Sequence, residues 1–285
     1  MQIVKTVQEF QTLRKSIANT QSIGFVPTMG NLHDGHASLL AKSKQENDIT
    51  AISIFVNPTQ FNNLDDFKHY PRTVEQDLAF AEHLSVDIVF LPTKENMYAD
   101  DYAYRVSATD SWLTSELESK SRPGHFEGVL TIVLKFLLLI KPTRAYFGEK
   151  DYQQYQLIKK MAETFFLDTT VIGCPPIRNQ NGLPLSSRNN RFTPEQFEQV
   201  QLFPKIFHSD LNPEEITEQL ISAGFEVEYV QDYHSRRFAA VKFAGIRLID
   251  NVPHPKNGDI YKTPSSALAG EGARRADEGS GEELI

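Results

Sequence analysis

The chain has 285 residues, a formal net charge of −8, 40% hydrophobic residues and 23% charged residues. This acidic balance argues against nucleic-acid binding, which normally needs a basic excess. The single cysteine, Cys174, excludes an intramolecular disulfide and is typical of a reducing compartment. The apolar run from Val129 to Ile140 is too short to span a membrane and contains a lysine. We therefore expect a cytoplasmic protein without a membrane or nucleic-acid partner.

Apolar segments rich in β-branched residues alternate with helix-period patterns through the first two thirds of the chain. Such nearly continuous apolar runs are typical of strands that are covered on both faces. In chain order the pattern predicts helix Thr6–Ala18, strand Ser22–Pro27, helix Asp34–Glu46, strand Ile49–Val56, helix Val74–His83, strand Val86–Leu91, helix Phe126–Ile140, strand Arg144–Phe147, helix Asp151–Phe165 and strand Thr169–Cys174. The predicted fold class is α/β, with a doubly wound parallel sheet that binds ligands at the carboxyl ends of its strands.

The pattern changes after about Arg188. Two helices that begin with proline precede three short apolar runs, at Phe225–Val230, Ala239–Val241 and Gly245–Ile249, which predict a small antiparallel sheet. From His254 onward the chain is rich in Gly, Ala, Ser and Glu, and it offers little apolar surface to bury. We therefore predict a first domain over residues 1–178, a small C-terminal α+β domain over residues 179–253 and a disordered tail over residues 254–285.

The segment from Phe25 to His36 carries the most chemical information. It leads from an apolar strand through Pro27 and Gly30 into a helix start that bears His33 and His36. Unpaired N–H groups at a helix N-terminus attract phosphate, and imidazoles beside them can donate hydrogen bonds to phosphate oxygens. The alternatives are a structural helix cap or half of a metal site, although no third ligand lies nearby in the sequence. The arrangement favours a site for a nucleoside triphosphate.

Four further motifs place polar side chains where the predicted crevice lies. They are Asn57-Pro58-Thr59-Gln60, Arg122-Pro123-Gly124-His125, Gly148 to Gln154 and Leu185 to Asn189. Side-chain amides suit a substrate that offers a hydroxyl and a carboxylate, while lysine and arginine can meet phosphates. Each motif alone has an ordinary alternative. In the same order, the alternatives are a chain-reversing turn, a helix-entry turn with Arg122 in a surface ion pair, a solvated surface lysine at Lys150 and a polar loop.

Together these segments closely resemble the pantothenate synthetase (pantoate–β-alanine ligase) family of the nucleotidylyltransferase superfamily, whose hallmark is a HIGH-like histidine motif. The matching stretches, in family order from residue 27 to about residue 253, are PTMGNLHDGH, SIFVNPTQF, YPRT, RPGHFEGVLTIVLK, FGEKDYQQ, LPLSSRN and RLIDNVP. The resemblance implies a Rossmann-like ATP domain, a small C-terminal lid domain and a homodimer. It also implies an ATP-dependent condensation of pantoate with β-alanine through pantoyl adenylate, with release of AMP and pyrophosphate. Mg²⁺ is expected, carried mainly by phosphate oxygens.

The resemblance also assigns roles to single residues. His36 is implied as the proton donor, His33 as a hydrogen-bond donor to the phosphates, and Lys150 as a phosphate ligand. The implied ATP-binding residues are Met29, Gly30, Asn31, Leu32, His33, Asp34, Gly35, His36, Gly148, Glu149, Lys150, Asp151, Ile177, Leu185, Ser186, Ser187 and Arg188. Pantoate and β-alanine are expected at Gln60, Gln154, Asn57, Arg122 and His125. Asp77 is a candidate metal ligand, and its alternative is a plain carboxylate on a helix surface.

Two departures from the family pattern concern the crevice. Pro184 stands where the family usually has alanine, which predicts a stiffer loop, and Thr59 occupies a position often held by methionine. Two other functions stay open: a nucleotidylyltransferase of the same fold that acts on a phosphorylated acceptor, and a nucleotide sensor without catalysis. The first would need more cationic side chains at the acceptor end, whereas Gln60 and Gln154 suit a small hydroxy acid.

Overall fold

A computed structural model of the protein describes residues 1–62, 64–109 and 111–254. The strands are β1 Gln2–Val4, β2 Ile23–Thr28, β3 Ile49–Ile54, β4 Ile88–Phe90, β5 Arg144–Gly148, β6 Thr170–Cys174, β7 Glu226–Tyr233, β8 Arg236–Phe243 and β9 Ile246–Pro253. The α-helices are α1 Val7–Ser16, α2 Asp34–Glu46, α3 Leu64–Lys68, α4 Val74–His83, α5 Lys94–Met97, α6 Ser111–Ser115, α7 Glu118–Ser121, α8 His125–Ile140, α9 Tyr152–Thr164, α10 Pro194–Val200, α11 Leu202–Phe207 and α12 Pro213–Ser222. Short 3₁₀ helices cover Pro58–Gln60, Glu149–Asp151 and Asn189–Arg191.

Strands β1 to β6 form a parallel sheet in the order β1-β4-β3-β2-β5-β6, which confirms the predicted doubly wound sheet. From β2 the chain winds outward through β3 to β4, and it then returns to β5 on the other side of β2. Because the winding direction reverses between β2 and β5, a crevice opens there at the carboxyl ends of the strands. The loops that follow Thr28 and Gly148 border this crevice.

The five predicted strands and five predicted helices of this sheet are present, with ends shifted by at most two residues. The sequence did not reveal β1, which pairs in parallel with β4 at the edge of the sheet. Only Val4 of its three residues is buried, so no apolar run marks the strand. The short helices α3, α5, α6 and α7 were also not predicted, since four or five residues are too few to establish a helical period.

Both faces of the parallel sheet are covered by apolar side chains. Neighbouring residues of β2 point to opposite faces, and Phe25 and Val26 accordingly belong to different apolar clusters. On the Phe25 side lies α8, in which Phe136 and Ile140 are fully buried against the sheet. Within the described residues no single helix is long and apolar enough to cross a bilayer. One pair of helices, Trp112–Ser121 and His125–Ile140, reaches that length and composition only when both are counted together, and the pair is bent by 111°.

Strands β7, β8 and β9 form a separate antiparallel sheet, which confirms the small sheet expected from the sequence. Phe203, Phe207 and Leu220 pack with Val241 in an apolar cluster that belongs to this sheet and its helices. We call α10–α12 together with β7–β9 the C-terminal unit.

The three strands of the C-terminal unit are eight residues long, longer than the apolar runs that predicted them. They extend through charged residues because these are paired inside the fold, as Asp232 is with Arg237. The domain boundary at residue 178 stays a prediction. The predicted tail, residues 254–285, lies outside the described residues except for His254.

Candidate active site

The loop after β2 is held by a buried carboxylate of α4. Asp77 Oδ2 accepts the backbone N–H of Asn31 at 3.0 Å, and Oδ1 accepts that of Leu32 at 2.7 Å. The Thr73 hydroxyl also donates to Oδ2, at 3.1 Å. Gly30 has a φ of +80°, and a Cβ there would lie 2.8 Å from Asp77 Oδ2, so the turn needs glycine for both reasons. Asp77 thus fixes the path by which the chain enters α2.

His33 and His36 lie against each other at the N-terminus of α2, with ring centroids 4.2 Å apart. Nδ1 of His33 accepts the N–H of Gly35 at 3.1 Å, and Nδ1 of His36 accepts the N–H of His33 at 3.3 Å. A neutral ring that accepts through Nδ1 carries its proton on Nε2. Each imidazole therefore caps the helix with one nitrogen and keeps the other as a donor. The helix-cap alternative and the phosphate-binding hypothesis are compatible.

Burial keeps both imidazoles neutral near pH 7. It lowers the pKa of His36 to about 3, and the neighbouring His33 adds to this shift. Burial also lowers the pKa of His33, with a second contribution from the charge of Lys150, while Asp34 opposes the change. The free protein therefore presents two neutral Nε2–H groups, which can stabilise negative charge on a ligand by hydrogen bonding.

A cavity of about 250 Å³ opens at the crevice between β2 and β5. It brings together most of the residues that the motifs and the resemblance singled out. These are Met29, His33, Gly35, His36, Asn57, Gln60, Arg122, His125, Gly148, Lys150, Asp151, Gln154, Ile177, Leu185, Ser186, Ser187 and Arg188. Segments far apart in the chain thus form one continuous site.

Five residues that the resemblance assigned to ATP do not line this cavity. They are Gly30, Asn31, Leu32, Asp34 and Glu149. The first three form the turn that Asp77 holds, and Asp34 is exposed to solvent. The Glu149 carboxylate faces β6, where it would meet a side chain added at Gly173. The main chain of Asn31 and Leu32 thus has a part in shaping the loop beside the cavity.

The Gln60 amide reaches the cavity from a buried network. Its Oε1 accepts a hydrogen bond from Asn57 Nδ2 at 3.0 Å, and its Nε2 donates to the Met29 sulfur at 3.1 Å. Asn57 is 1% exposed, and it also donates to the Gly128 carbonyl and accepts from the Tyr98 hydroxyl. Asn57 was expected to contact substrate, but its polar groups are engaged within the protein. It borders the cavity mainly as the support of Gln60.

Two adjacent glutamines at the start of α9 have opposite environments. Gln153 is 3% exposed, and its amide bonds the N–H of Glu118 and the carbonyls of Leu113 and Glu116. Gln154 instead lines the cavity. The position of Gln154 fits its predicted role as a substrate ligand, whereas Gln153 fastens α9 to the segment around α6 and α7.

Arg122 and His125 border the cavity beside the start of α8. Nδ1 of His125 lies 2.7 Å from the carbonyl oxygen of Gln60, and its Nε2 lies 3.1 Å from the Arg122 guanidinium. Since a carbonyl only accepts and a guanidinium only donates, the proton of His125 is on Nδ1. Burial lowers the pKa of His125 to about 4, and Arg122 adds to the shift. His125 thus holds the main chain of Gln60 and orients Arg122.

Besides Arg122, two cationic side chains reach the cavity from different loops. Lys150 is half-buried, and no carboxylate within the described ranges forms an ion pair with it. Arg188 lies 3.0 Å from Asp66 of α3. A cation without a counter-ion near a helix N-terminus makes a favourable place for a phosphate group.

Sequence reasoning missed the apolar wall of the cavity. The side chains involved come from strand ends and from α8: Phe55, Val129, Ile132, Val133, Phe136 and Phe147. They lie within predicted elements, but an apolar residue in a buried helix is first assigned to the core. Tyr70 was also missed, although it belongs to the YPRT stretch. Its buried side chain lines the cavity together with Ser187 and Arg188.

The described part of the chain contains no group of three or more His, Cys, Asp or Glu side chains that could hold a metal ion. Asp77 is 2% exposed, which excludes the helix-surface alternative, and three hydrogen bonds occupy its two oxygens. These residues therefore fit Mg²⁺ only if substrate phosphates supply most of its ligands.

Comparisons with known proteins relate this geometry to one family. The family described as pantoate-beta-alanine ligase matches residues 2–253. A protein named pantothenate synthetase from Coxiella burnetii (strain Dugway 5J108-111) is 56% identical to this chain, over 90% of this chain and 98% of its own length. A protein of the same name from Legionella pneumophila (strain Lens) is 52% identical, over 88% of this chain and 99% of its own length. A crystal structure of pantoate-beta-alanine ligase from Francisella tularensis, complexed with beta-gamma ATP and beta-alanine, is 44% identical with a TM-score of 0.86, covering 89% of this chain and 97% of that one. The chain therefore belongs to the pantoate-beta-alanine ligase family.

Proposed function

We propose that the protein joins pantoate to β-alanine in an ATP-dependent reaction that yields pantothenate, AMP and pyrophosphate. One observation carries this proposal: the two neutral histidine donors, Lys150 and the amides of Gln60 and Gln154 all face a single cavity at the N-terminus of α2. Family membership supports it, as does the Francisella tularensis relative, whose crystals contain beta-gamma ATP and beta-alanine.

In the first step, a carboxylate oxygen of pantoate attacks the α-phosphorus of ATP. The bond between that phosphorus and the oxygen bridging to the β-phosphate breaks, so that pantoyl adenylate forms and pyrophosphate leaves. Lys150 and Arg188 would neutralise the leaving group, and the amides of Gln60 and Gln154 would orient pantoate through its hydroxyl and carboxylate. Catalysis then consists of positioning and charge stabilisation, without a protein nucleophile.

His36 would act in this step as a neutral hydrogen-bond donor. Its pKa of about 3 in the free protein leaves little imidazolium at pH 7. Its Nε2–H can instead stabilise the charge that builds on the phosphate oxygens in the transition state. His33, with the same tautomer, would do so for a neighbouring oxygen. His36, which was expected to be a proton donor, would thus donate a hydrogen bond and keep its proton.

In the second step, the neutral amine of β-alanine attacks the acyl carbon of pantoyl adenylate. A C–N bond forms, the C–O bond to AMP breaks and the amine releases a proton. The Gln60 amide lies between the Met29 sulfur and Asn57, where its orientation is fixed by both neighbours. Gln60 can therefore serve pantoate in the first step and β-alanine in the second.

The test is ATP–pyrophosphate exchange with pantoate present and β-alanine omitted. Exchange that depends on pantoate supports the acyl-adenylate route. Exchange that requires a phosphorylated acceptor would favour another nucleotidylyltransferase reaction on the same fold. ATP binding without exchange under any substrate mixture would favour a sensor.

Three further expectations belong to this proposal. Mg²⁺ would be carried by phosphate oxygens, since protein ligands for it are scarce in the described residues. A requirement for Mg²⁺ in the exchange assay tests this. Assembly as a homodimer and a cytoplasmic location stay predictions, which sedimentation analysis and cell fractionation would check.

A further inference from the structure

Two successive residues of β9 fasten the two cationic loops of the site. Asn251 Nδ2 donates to the carbonyl oxygens of Glu149 and Lys150, each at 2.9 Å. Asp250 accepts two hydrogen bonds from the guanidinium of Arg178, at 2.7 and 2.8 Å, at the base of the loop that leads to Arg188. Both β9 residues are 2% exposed. The C-terminal unit thus holds the main chain beside Lys150.

The Asn251 amide has no alternative orientation. Its Oδ1 accepts hydrogen bonds from Nε and from a terminal nitrogen of Arg236, at 3.0 and 2.6 Å. Because a guanidinium only donates and a carbonyl only accepts, the amide nitrogen must face the Glu149 and Lys150 carbonyls. The Arg236 guanidinium also lies 4.2 Å from the ring centroid of Tyr152, the first residue of α9. Asn251 of β9 therefore bonds the main chain at Lys150, and Arg236 of β8 contacts the nearby Tyr152 side chain.

We propose that Asn251 is a positioning residue for Lys150. By fixing two successive carbonyl groups, Asn251 sets the direction in which the lysine side chain leaves the backbone and enters the cavity. Asp250 does the same for the other loop through Arg178, so that β9 sets the spacing between the two cationic loops. A misplacement of about 1 Å in a binding group can cost on the order of 100-fold in rate. The inference rests on the proposed function, in which Lys150 meets the phosphates.

The first test compares the two half-reactions in the full-length chain. Asn251→Ala should lower the rate of pantoate-dependent ATP–pyrophosphate exchange by about 10- to 100-fold. The reaction of supplied pantoyl adenylate with β-alanine should change by less than about 2-fold, because pyrophosphate is absent from it. Where Asn251→Ala fails to fold, Asn251→Asp replaces it, since the carboxylate keeps the Arg236 contacts but turns an acceptor oxygen, in place of the donor, toward the two carbonyls.

A matched control and a double-mutant cycle complete the test. Asp232→Asn changes a carboxylate in the same sheet, paired there with Arg237, and should leave exchange unchanged. If Asn251 acts through Lys150, Asn251→Ala should cost less than about 2-fold in a Lys150→Ala background. Equal losses in both backgrounds, or equal losses in both half-reactions, overturn the inference. Lack of pantoate-dependent exchange in the unmodified protein overturns the proposed function instead.

Discussion

Asp77 Oδ1 accepts the backbone N–H of Leu32 at 2.7 Å, across 45 positions of sequence. A carboxylate on α4 thus holds the two residues that lead into the N-cap of α2. The carboxylate is buried, so its charge is stabilised chiefly by the N–H groups of Asn31 and Leu32 and by the Thr73 hydroxyl. This one side chain holds the loop between β2 and α2.

Asp77→Asn should destabilise the protein and weaken ATP use together. The amide nitrogen would face a backbone N–H, and leaving buried groups unpaired costs about 1–3 kcal/mol in the free energy of unfolding. Denaturant unfolding and pyrophosphate exchange measure the two effects. Glu82→Gln, which changes an exposed carboxylate on α4, is the control and should change the unfolding free energy by less than about 0.5 kcal/mol. Equal effects of the two variants would show that Asp77 does not hold the loop after β2.

His36→Ala should lower the adenylation rate by about 100- to 1,000-fold, the usual loss for one transition-state donor. The reason is that its Nε2–H faces the cavity as a neutral donor. Single-turnover formation of pantoyl adenylate measures the rate. His83→Ala removes an exposed imidazole at the end of α4 and should leave it unchanged. Near-normal turnover of His36→Ala would remove His36 from this role.

The adjacent glutamines of α9 should respond in opposite ways. Gln153→Ala leaves buried groups around Glu118 and Leu113 unpaired, so the free energy of unfolding should fall by about 1–3 kcal/mol. Gln154→Ala should keep the stability and raise the KM for pantoate. Thermal unfolding and steady-state kinetics with varied pantoate separate these effects. A stable Gln153→Ala with a raised KM would reverse the two assignments.

Gln60→Ala should impair pantoate use while ATP binding persists. Gln60 contacts Asn57 and Met29, whereas Lys150 enters the same cavity from the loop after β5. Calorimetric titration with a non-hydrolysable ATP analogue and kinetics with varied pantoate measure the two ligands. Equal losses for both would place Gln60 in the nucleotide pocket.

Acid stability should depend on His36. Its pKa is about 3 in the folded protein, against about 6.5 for an exposed histidine in the unfolded chain. Between these values the unfolded chain binds a proton that the folded protein does not, so the free energy of unfolding falls as the pH drops from about 6.5 toward 3. Above about pH 6.5 His36 is neutral in both states, so its protonation no longer lowers the free energy of unfolding.

The measurement is denaturant unfolding at several pH values between about 7 and 4. His36→Ala should lose less stability on acidification than the unmodified protein over this window. His83→Ala, which removes an exposed imidazole, should follow the unmodified protein. Parallel curves for all three proteins would mean that His36 is not held neutral by burial.

The limits of sequence reasoning are visible in pairs of like residues. Asn57 and Gln60 share a residue class and a motif, and Gln153 and Gln154 are adjacent and identical. Gln153 is engaged by contacts within the protein while Gln154 faces the cavity, and Asn57 supports Gln60 from a buried network. The role of each member depends on the segments packed against it, and those come from distant parts of the chain. No local pattern distinguishes them.

The sequence by itself determined the alternation of strands and helices, the place of the chemical motifs after the strands and the separate antiparallel sheet, because hydrophobic period and turn residues are local properties. Tertiary structure alone decided that Asp77 holds the loop after β2 and that β9 holds the Lys150 loop. These facts depend on hydrogen bonds between segments that meet only when the sheets have formed. Burial, which sets the charge of His36, is likewise a property of the packed chain.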